Sequence, residues 1–537
     1  MIVEIDNQSV GNVMKAFERV ARFVMAVGML AGVLMSGLAE AYEAFQGPTE
    51  LIYHDAQRAY RGYTMFTPSR GRNTYLIDMN GEVIHTWPIP ASWRDPEIRE
   101  NARLLDDGML ARSETVADGS TPGTYQLVDW DGAVVWEYES AREDLSGHHD
   151  FRFIHNPKLG QRTLIYSATR ETPHEKILAL GADPALRESY DTRPDGLVEV
   201  DMDGNIVWEW NISDHVVQDF DPNLPGYGVV SEHPGRLDIN FGPGVSGNWI
   251  HMNGWDFNEV LDHVAINNSR MSEFYVVDHG ATFVPGDPQR SRELAASDAG
   301  DFIYRWGNPC VSDTGECPSM TAEGLSTSNG HQQLFFSHDI QWIDGGDFGA
   351  LDGPVPGAGH FLIFNNGARQ PGPTFSSVIE IDPYDGPMES GIYIPAAVAG
   401  YDPMPVGGGM SRRTQNVSRQ VVWSFHGISP NSFYSPYISG AQRLPNGNTL
   451  VCSGAHGHIF EVTPEGAVVW EFINPVGVRL VNARGIYRTM ADKAGDEFNS
   501  IFKCQRYAPD YPGLNGKDLT PRGTITEYFS EAVELKP

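Results

Sequence analysis

The sequence predicts an all-β fold, a six-bladed β-propeller with long inserted loops on one face. Three observations predict it: turn residues occur throughout the chain, a hairpin unit ending in tryptophan is repeated six times, and the spacing between copies is uneven. The chain of 537 residues contains 57 glycines and 36 prolines, and such frequent turn residues favour many short strands over long helices. We expect residues 50–537 to form a single propeller domain of about six blades, because closed propellers often exceed the usual domain size.

The repeated unit is a strand, a tight glycine turn and a second strand that ends in tryptophan. Apolar and polar residues alternate in the clear copies, and Asn-Gly, Asp-Gly or Glu-Gly separates the two runs, which is typical of a hairpin with a primed turn. Another pair of strands precedes most copies, as in GAQRLPNGNTLVCSG, so each repeat supplies the four strands of one blade. The copies are YLIDMNGEVIHTW with Trp87, YQLVDWDGAVVWEY with Trp136, VEVDMDGNIVWEW with Trp208, FIYRWG with Trp306, RQVVWSF with Trp423 and IFEVTPEGAVVWEF with Trp470.

The tryptophans are interpreted as structural residues that pack between neighbouring blades. The copies lie close together at both ends of the chain and far apart in the middle, so the middle blades carry the long insertions. Residues 211–245, 308–335 and 383–418 are rich in Gly, Pro and Asp, and we expect them to build a lid or rim over one face. A closed ring of blades also explains how so many strands avoid exposed edges.

The N-terminal segment 1–41 has the features of an export signal. Lys15, Arg19 and Arg22 precede an apolar stretch at 23–38, and Ala-Glu-Ala at 39–41 fits a cleavage site between small residues. We therefore expect a periplasmic or otherwise exported protein. The segment is either a cleaved signal peptide or an uncleaved N-terminal anchor that associates with the membrane.

The four cysteines suit an oxidising compartment. Cys310 and Cys317 flank the short loop VSDTGE and are predicted to form a disulfide, which leaves Cys452 and Cys504 as a second candidate pair. Neither pair has the CxxC spacing of a zinc site or a thioredoxin-like redox pair. The formal net charge of -32, from 70 acidic and 38 basic residues, would repel phosphate backbones and argues against nucleic-acid binding.

Histidines open several of the predicted inner strands, which line the channel of a propeller. They are His148 and His149 in HHDFRFIH, His251 in NWIHMNGWDF and His338 in FSHDIQWI. Because these strands belong to consecutive blades, the imidazoles are expected to converge at the channel mouth. Such a convergence suits either anion chemistry or metal ligation.

Polar residues at the ends of other strands are expected near the same mouth. Asn366 and Arg369 follow the strand in HFLIFNNGARQ, and Arg270 lies in NNSRMSEF. An arginine is permanently charged and can hold two oxygens of an anion at once. The sequence therefore predicts an anion site that combines imidazoles with guanidinium groups.

The ordered set of motifs resembles the bacterial arylsulfate sulfotransferases, periplasmic propeller enzymes that move a sulfuryl group between phenols without a nucleotide donor. The similarity runs from about residue 60 to about residue 510 and includes YLIDMNGEVIHTW, NWIHMN, FIYRWGNP, SHDIQWI, FLIFNNGARQ and IFEVTPEGAVVWEF. The resemblance implies that a channel histidine attacks the sulfur of an aryl sulfate and forms a sulfohistidine. A phenol then accepts the sulfuryl group from this histidine. The resemblance also implies catalytic roles for His251, His338 and Arg369, with His149, Asn366 and Arg270 as further substrate contacts.

The sequence leaves the nucleophile open. In the next blade, where the resemblance implies a further channel histidine, the inner strand reads YSPYISGAQRL and offers Ser439, Gly440 and Gln442. His456 in SGAHGHIF is our preferred candidate for the catalytic role, and His426 is the alternative. Loss of the sulfo-acceptor is a third interpretation.

Other functions compete with sulfuryl transfer. A metal-dependent hydrolase or lyase is one alternative, for which His149, His251 and His338 would supply three imidazole ligands. For the sulfuryl transferase itself we expect no metal and no cofactor. A non-catalytic envelope propeller that binds a small anion or a sugar is the non-enzyme alternative. A quinone-dependent dehydrogenase is disfavoured, since the repeated Gly-x-x-Trp pattern and eight blades are missing.

Two other enzyme classes are disfavoured by their motifs. The chain has no C/S-x-P-x-R arrangement, which excludes a formylglycine sulfatase, and no GxxxxGK[ST] loop for a nucleotide-dependent sulfotransferase or kinase. The expected partners are small sulfate esters and phenols, and a homodimer is left open.

Overall fold

The computed structural model describes residues 49–69, 71, 73–90, 98–116, 123–140, 142–186, 192–242, 250–320, 326–346, 348, 351, 353–368, 370–371, 374–406, 413–427, 432–476 and 499–528. The predicted export signal at 1–41 and Arg369 lie outside the described residues. Among the described residues, no helix has both the length and the apolar character needed to cross a membrane.

Short strands make up most of the described chain. They are β1 (Glu50–His54), β2 (Tyr63–Pro68), β3 (Asn73–Ile77), β4 (Val83–Pro88), β5 (Ile98–Leu104), β6 (Leu110–Val116), β7 (Thr124–Val128), β8 (Val134–Glu139), β9 (Leu145–Asn156), β10 (Gln161–Arg170), β11 (Asp195–Asp201), β12 (Ile206–Asn211), β13 (Val216–Val217), β14 (Leu237–Asp238), β15 (Met252–Asn258) and β16 (His263–Asn268). The later strands are β17 (Glu273–Asp278), β18 (Phe302–Trp306), β19 (Ser319–Met320), β20 (Ser326–Ser328), β21 (His338–Trp342), β22 (Phe361–Asn365), β23 (Ser377–Ile381), β24 (Tyr401–Val406), β25 (Arg413–Ser418), β26 (Val421–Phe425), β27 (Gly440–Arg443), β28 (Thr449–Ser453), β29 (His458–Val462), β30 (Val468–Ile473) and β31 (Ile501–Tyr507).

Helices are few and short. The α-helices are α1 (His174–Ala179), α2 (His279–Thr282), α3 (Pro288–Ala295) and α4 (Ala396–Ala399). Single 3₁₀ turns occupy Ile212–Asp214, Val230–Glu232, Asp298–Gly300, Met388–Ser390, Gly454–His456 and Pro512–Leu514.

Six antiparallel sheets form the six blades of a β-propeller, as predicted. From the inner to the outer strand they are β31-β2-β3-β4, β5-β6-β7-β8, β9-β10-β11-β12, β15-β16-β17-β18, β21-β22-β23-β26 and β27-β28-β29-β30, here blades 1 to 6. Both ends of the described chain close the ring. Strand β31 is the inner strand of blade 1, and β1 pairs with β30 as a fifth strand outside blade 6.

The six repeated tryptophans lie on the outer strands and connect each blade to the next, which confirms their structural interpretation. The indole N–H of each donates a hydrogen bond to the following blade or its insertion. The pairs are Trp87 to Asp129 O (3.2 Å), Trp136 to Met202 O (2.8 Å), Trp208 to Thr282 Oγ1 (3.0 Å), Trp306 to Ser418 Oγ (3.4 Å), Trp423 to Pro464 O (2.9 Å) and Trp470 to Met79 O (2.8 Å). The last pair joins blade 6 back to blade 1.

The outer hairpins differ from the predicted two-residue primed turns. In the first copy, Asp78 begins the turn, and its carboxylate accepts hydrogen bonds from the backbone N–H groups of Asn80 and Glu82. Only Gly81 is left-handed, with φ of 77°, whereas a type I′ turn needs positive φ at both central residues. The aspartate therefore fixes a longer turn, an effect that the Asn-Gly pair alone does not reveal.

The insertions contain their own small structures. Residues 308–335 carry the predicted Cys310–Cys317 disulfide and the pair β19 and β20. The 383–418 insertion lies inside blade 5 and contains α4 and the hairpin β24–β25. The two insertions contact each other, since Asn329 Oδ1 accepts from the Asn416 N–H at 3.0 Å and Asn329 Nδ2 donates to Asn416 O at 2.9 Å.

The second candidate cysteine pair is not a disulfide in this structure. Cys452 on β28 is a buried free thiol, and Cys504 on β31 is a partly buried one. The two side chains interact across the boundary between blades 6 and 1, and burial together with Cys504 raises the pKa of the Cys452 thiol.

Candidate functional site

The inner strands surround a narrow, polar channel. Its lining comes from five of the six blades and consists of Asn101, Arg103, Asp150, Phe151, Arg152, Asp339, Gln341, Gln442, Lys503, Cys504 and Gln505. Most of these side chains can donate or accept hydrogen bonds, so the channel favours polar contents over apolar ones.

A buried lysine joins three blades across this channel. Lys503 Nζ on β31 lies 2.6 Å from Asp150 Oδ2 on β9 and 2.8 Å from Asp339 Oδ1 on β21. Burial alone would lower the pKa of the Lys503 ammonium, but the two carboxylates more than offset that effect and the pKa is raised. Lys503 is therefore charged and links blades 1, 3 and 5.

The start of β9 is bulged, and the bulge explains how two adjacent histidines reach one place. Three residues, 148–150, lie opposite the single residue Ser167 of β10, and His149 has a left-handed backbone with φ of 53°. In a regular strand, adjacent side chains point to opposite faces. Here the His148 and His149 rings lie together, with centroids 4.2 Å apart.

His148 is held by a buried carboxylate. Its Nδ1 lies 2.5 Å from Asp195 Oδ1 at the start of β11, and Asp195 Oδ2 accepts a hydrogen bond from the Met252 N–H at 2.9 Å. The contact with Asp195 fixes the orientation of the His148 ring. The His148 and His251 ring centroids are 4.9 Å apart.

His251 precedes β15 and meets His149 directly, with the two Nε2 atoms 2.9 Å apart. Burial lowers the pKa of the His251 imidazole well below its ordinary value, and nearby basic side chains lower it further. Those side chains are His148, His338 and Arg270. His251 is therefore a neutral imidazole at neutral pH.

His338, the first residue of β21, is fixed through both ring nitrogens. Its Nδ1 donates to Asn366 Oδ1 at 2.7 Å, and its Nε2 accepts from the Ile438 N–H at 3.2 Å. Burial lowers the pKa of His338 to about 4. Asn366 also donates to Ser435 O and Ile438 O, so its described contacts orient His338 and the segment before β27.

The other predicted residues lie in turns and segments at the ends of strands. Arg270 is exposed in the turn between β16 and β17, with its guanidinium 5.4 Å from the centre of the Phe336 ring, and its charge acts on His251. His456 ends the 3₁₀ turn after β28, where the adjacent Ala455 N–H donates to Ser435 Oγ. His426 follows β26, is exposed and packs edge-on against Phe375.

The imidazoles that converge differ from the predicted trio of His149, His251 and His338. Nitrogen atoms of His148, His149 and His251 all lie within 4.8 Å of one another. His338 is held apart by its bonds to Asn366 and Ile438. The bulge in β9 causes this difference, because it turns both histidines of the HHD motif toward the next blade.

The charged residues that follow the histidines were not among the predicted site residues. Asp150 and Asp339 directly follow His149 and His338, so the shared His-Asp pair in HHDF and SHDI was a signal that could have identified them. Lys503 offered no such signal, since the sequence gives no indication that a lysine on the last strand closes the first blade. Asp195 was equally hidden, because it lies on the third strand of its blade.

Six blades around a channel whose mouth holds clustered imidazoles define a histidine-bearing β-propeller. Residues 52–280 match the family model described as arylsulfotransferase (ASST). No curated protein matches the sequence.

Several solved structures are similar in fold. A protein of unknown function from Bacteroides caccae has 10% identity and a TM-score of 0.37, and the match covers 83% of this chain and 99% of that one. The β-propeller domain of Myceliophteria thermophila Cps50 (Swd1) has 9% identity and a TM-score of 0.33, covering 80% and 90% of the two chains. Virginiamycin B lyase from Staphylococcus aureus has 8% identity and a TM-score of 0.32, covering 80% and 86%.

Proposed function

We propose that the protein is a nucleotide-independent sulfuryl transferase, which moves a sulfuryl group from an aryl sulfate to a phenolic acceptor through a sulfohistidine. The observation that carries the proposal is the contact between the Nε2 atoms of His149 and His251 at the channel mouth, within the region that matches the arylsulfotransferase family. The export signal predicted from the sequence of residues 1–41 supports a reaction outside the cytoplasm.

We propose His251 as the nucleophile in place of His456, the candidate preferred from the sequence, because His251 belongs to the cluster of three imidazoles. Its side chain is partly exposed at the mouth, whereas both ring nitrogens of His338 are occupied by Asn366 and Ile438. A neutral imidazole carries a lone pair on one ring nitrogen and can attack an electrophilic centre. When His149 holds the hydrogen of the shared contact, the lone pair of His251 Nε2 faces His149, so the aryl sulfate must displace His149 from this contact before His251 attacks the sulfur.

The two half-reactions balance. In the first, a bond forms between His251 Nε2 and sulfur while the bond between sulfur and the donor phenol oxygen breaks, and the electron pair leaves with the phenolate. In the second, the acceptor phenol oxygen bonds to sulfur and the N–S bond breaks. The proton lost by the acceptor phenol matches the proton taken up by the released phenolate, so no cofactor is consumed.

Arginine side chains bind the sulfuryl oxygens in this account. Arg270 already acts electrostatically on His251, so a sulfate ester beside that imidazole would lie within the field of its guanidinium. Guanidinium groups pair well with anions because they hold two oxygens in one plane. We assign Arg369 to the same role from its position after β22.

The experiment is chromogenic turnover of 4-nitrophenyl sulfate by the purified protein, with and without phenol. We expect nitrophenol release that depends on phenol and that is lost in His251→Ala. The matched control is His155→Ala, an exposed histidine on β9 far along the strand from His149. It should retain full turnover.

The same assay separates the alternatives. If folded protein releases no nitrophenol with any phenol while still binding the sulfate ester, the non-catalytic anion-binding propeller replaces our proposal. If release occurs without phenol and requires added metal, the protein is a hydrolase of the metal-dependent class instead.

A further inference from the structure

The three clustered imidazoles could also bind a metal ion. We propose that His148, His149 and His251 together bind one divalent transition-metal ion, for which Zn²⁺ is the probe. This site is independent of sulfuryl transfer, because it depends only on where the ring nitrogens lie.

The geometry of the cluster fits such an ion. One ligand atom from each of the three rings lies within 4.8 Å of the other two, and the closest pair, His149 Nε2 and His251 Nε2, is separated by 2.9 Å. Zinc binds imidazole nitrogen at about 2.0–2.1 Å, which separates neighbouring ligands by roughly 3 Å. Binding of the ion would draw the three ligand atoms closer together than their present limit of 4.8 Å.

The support behind the ligands is also that of a metal site. A ligating histidine usually gives its other ring nitrogen to a carboxylate, which fixes the ring and makes it a better ligand. His148 has this arrangement with Asp195, which is fully buried and whose second oxygen is held by the Met252 backbone. Asp195 thereby links the His148 ring to the residue that follows His251.

The backbone at His149 provides an independent indication. A histidine with φ of 53° adopts a sparsely populated left-handed conformation, and such residues cluster at functional sites. Here the conformation is part of the bulge that turns the ring toward His251. Without the bulge, only one of the two adjacent histidines could face the mouth.

The ligand chemistry selects the class of ion. Three neutral imidazoles suit Zn²⁺, Cu²⁺, Ni²⁺ and Fe²⁺, whereas Ca²⁺ and Mg²⁺ prefer oxygen ligands. Three protein ligands also leave a position open at the partly exposed side of His251.

The ion and the proposed reaction would compete. His251 Nε2 has one lone pair and cannot bond to a metal and to sulfur at the same time. We therefore expect Zn²⁺ to inhibit sulfuryl transfer, an effect that depends on the proposed function, whereas binding of the ion does not.

The test is a titration of chelator-treated, full-length protein with Zn²⁺ against a chromogenic chelator, in the absence of any sulfate ester. We expect one ion per chain. His148→Ala should abolish tight binding, and Asp195→Asn should weaken it by about 10- to 100-fold. His155→Ala is the matched control and should bind as the wild type does.

A second measurement distinguishes loss of metal binding from loss of folding. Co²⁺ should give visible absorption bands of a nitrogen-ligated site in the wild type, and these should be reduced in His148→Gln at unchanged far-ultraviolet circular dichroism. If Zn²⁺ does not bind, or binds equally well to folded His148→Gln, the metal site is overturned. Zn²⁺ binding without inhibition of turnover would support the site and contradict His251 as the sulfuryl acceptor.

Discussion

His149 and His251, 102 residues apart in the chain, meet through their Nε2 atoms at 2.9 Å. In a hydrogen bond between two ring nitrogens, one must donate and the other accept, so each imidazole sets the tautomer of its partner. The pair joins blade 3 to blade 4 at the channel mouth. The protonation of either imidazole therefore depends on the other.

Replacing His149 tests whether it positions His251. His149→Ala removes the ring nitrogen that sets the tautomer of His251, so we expect kcat for sulfuryl transfer to fall by about 100-fold while KM for the donor changes little. The amide of His149→Gln can donate in place of the ring and should recover part of kcat. A large rise in KM with unchanged kcat would instead make His149 a substrate contact.

Arg270 should act on donor binding. Arg270→Gln removes a charge-assisted contact worth about 1.5–3 kcal/mol, so kcat/KM for 4-nitrophenyl sulfate should fall roughly 10- to 100-fold. Arg270→Lys should recover part of the loss. The control is Arg290→Gln on α3, an exposed arginine paired with Glu293, and equal effects of the two glutamine variants would argue against a specific role.

Lys503 should be essential for stability. Lys503→Met leaves Asp150 and Asp339 buried without their cation, and removal of one partner from a buried ion pair costs about 3–5 kcal/mol. Urea unfolding of the variant and of Lys176→Met, an exposed lysine on α1, measures the difference. The exposed substitution should change the free energy of unfolding by under about 0.5 kcal/mol.

His338 makes stability depend on pH. Its pKa is about 4 in the folded protein and about 6.5 in an unfolded chain, so the unfolded state binds a proton first as pH falls. The free energy of unfolding therefore decreases as pH falls from 6.5 to 4, by about 2 kcal/mol at pH 5. Urea unfolding at pH 7 and pH 5 should show a smaller decrease in His338→Gln, and an unchanged decrease would contradict this origin.

The indole hydrogen bond between the last and first blades should contribute to closure of the ring. Trp470→Phe removes the donor to Met79 O and leaves a gap beside a buried carbonyl, which should cost about 2–4 kcal/mol. Trp423 makes the equivalent bond to Pro464 O from a partly exposed position. Trp423→Phe should therefore cost less, and the order of the two thermal unfolding midpoints checks this.

The blades could be predicted because each one repeats a local signal. Alternation, glycine turns and a tryptophan recur in copies such as those of Trp87 and Trp470, and the structure places all six tryptophans on the outer strands of their blades. The exact turn could not be read from Asn-Gly, because the carboxylate of Asp78, two residues earlier, determines how long the turn is.

The site was predictable only where it depends on strand order. Histidines that open the inner strands of neighbouring blades are expected to lie close together, and His149 and His251 meet directly. The residues that these histidines contact could not be predicted, because the alternation of apolar and polar residues does not reveal bulges or contacts between blades. A bulge brings His148 into the cluster, and Asn366 and Ile438 hold His338 apart from it.

The measurement that tests the account most directly is peptide mapping of protein treated with 4-nitrophenyl sulfate in the absence of phenol. We predict one sulfuryl group per chain, located on His251, that is discharged when phenol is added and absent from His251→Ala. A sulfuryl group located on His456 or His338 instead, or turnover without any protein adduct, would contradict His251 as the acceptor.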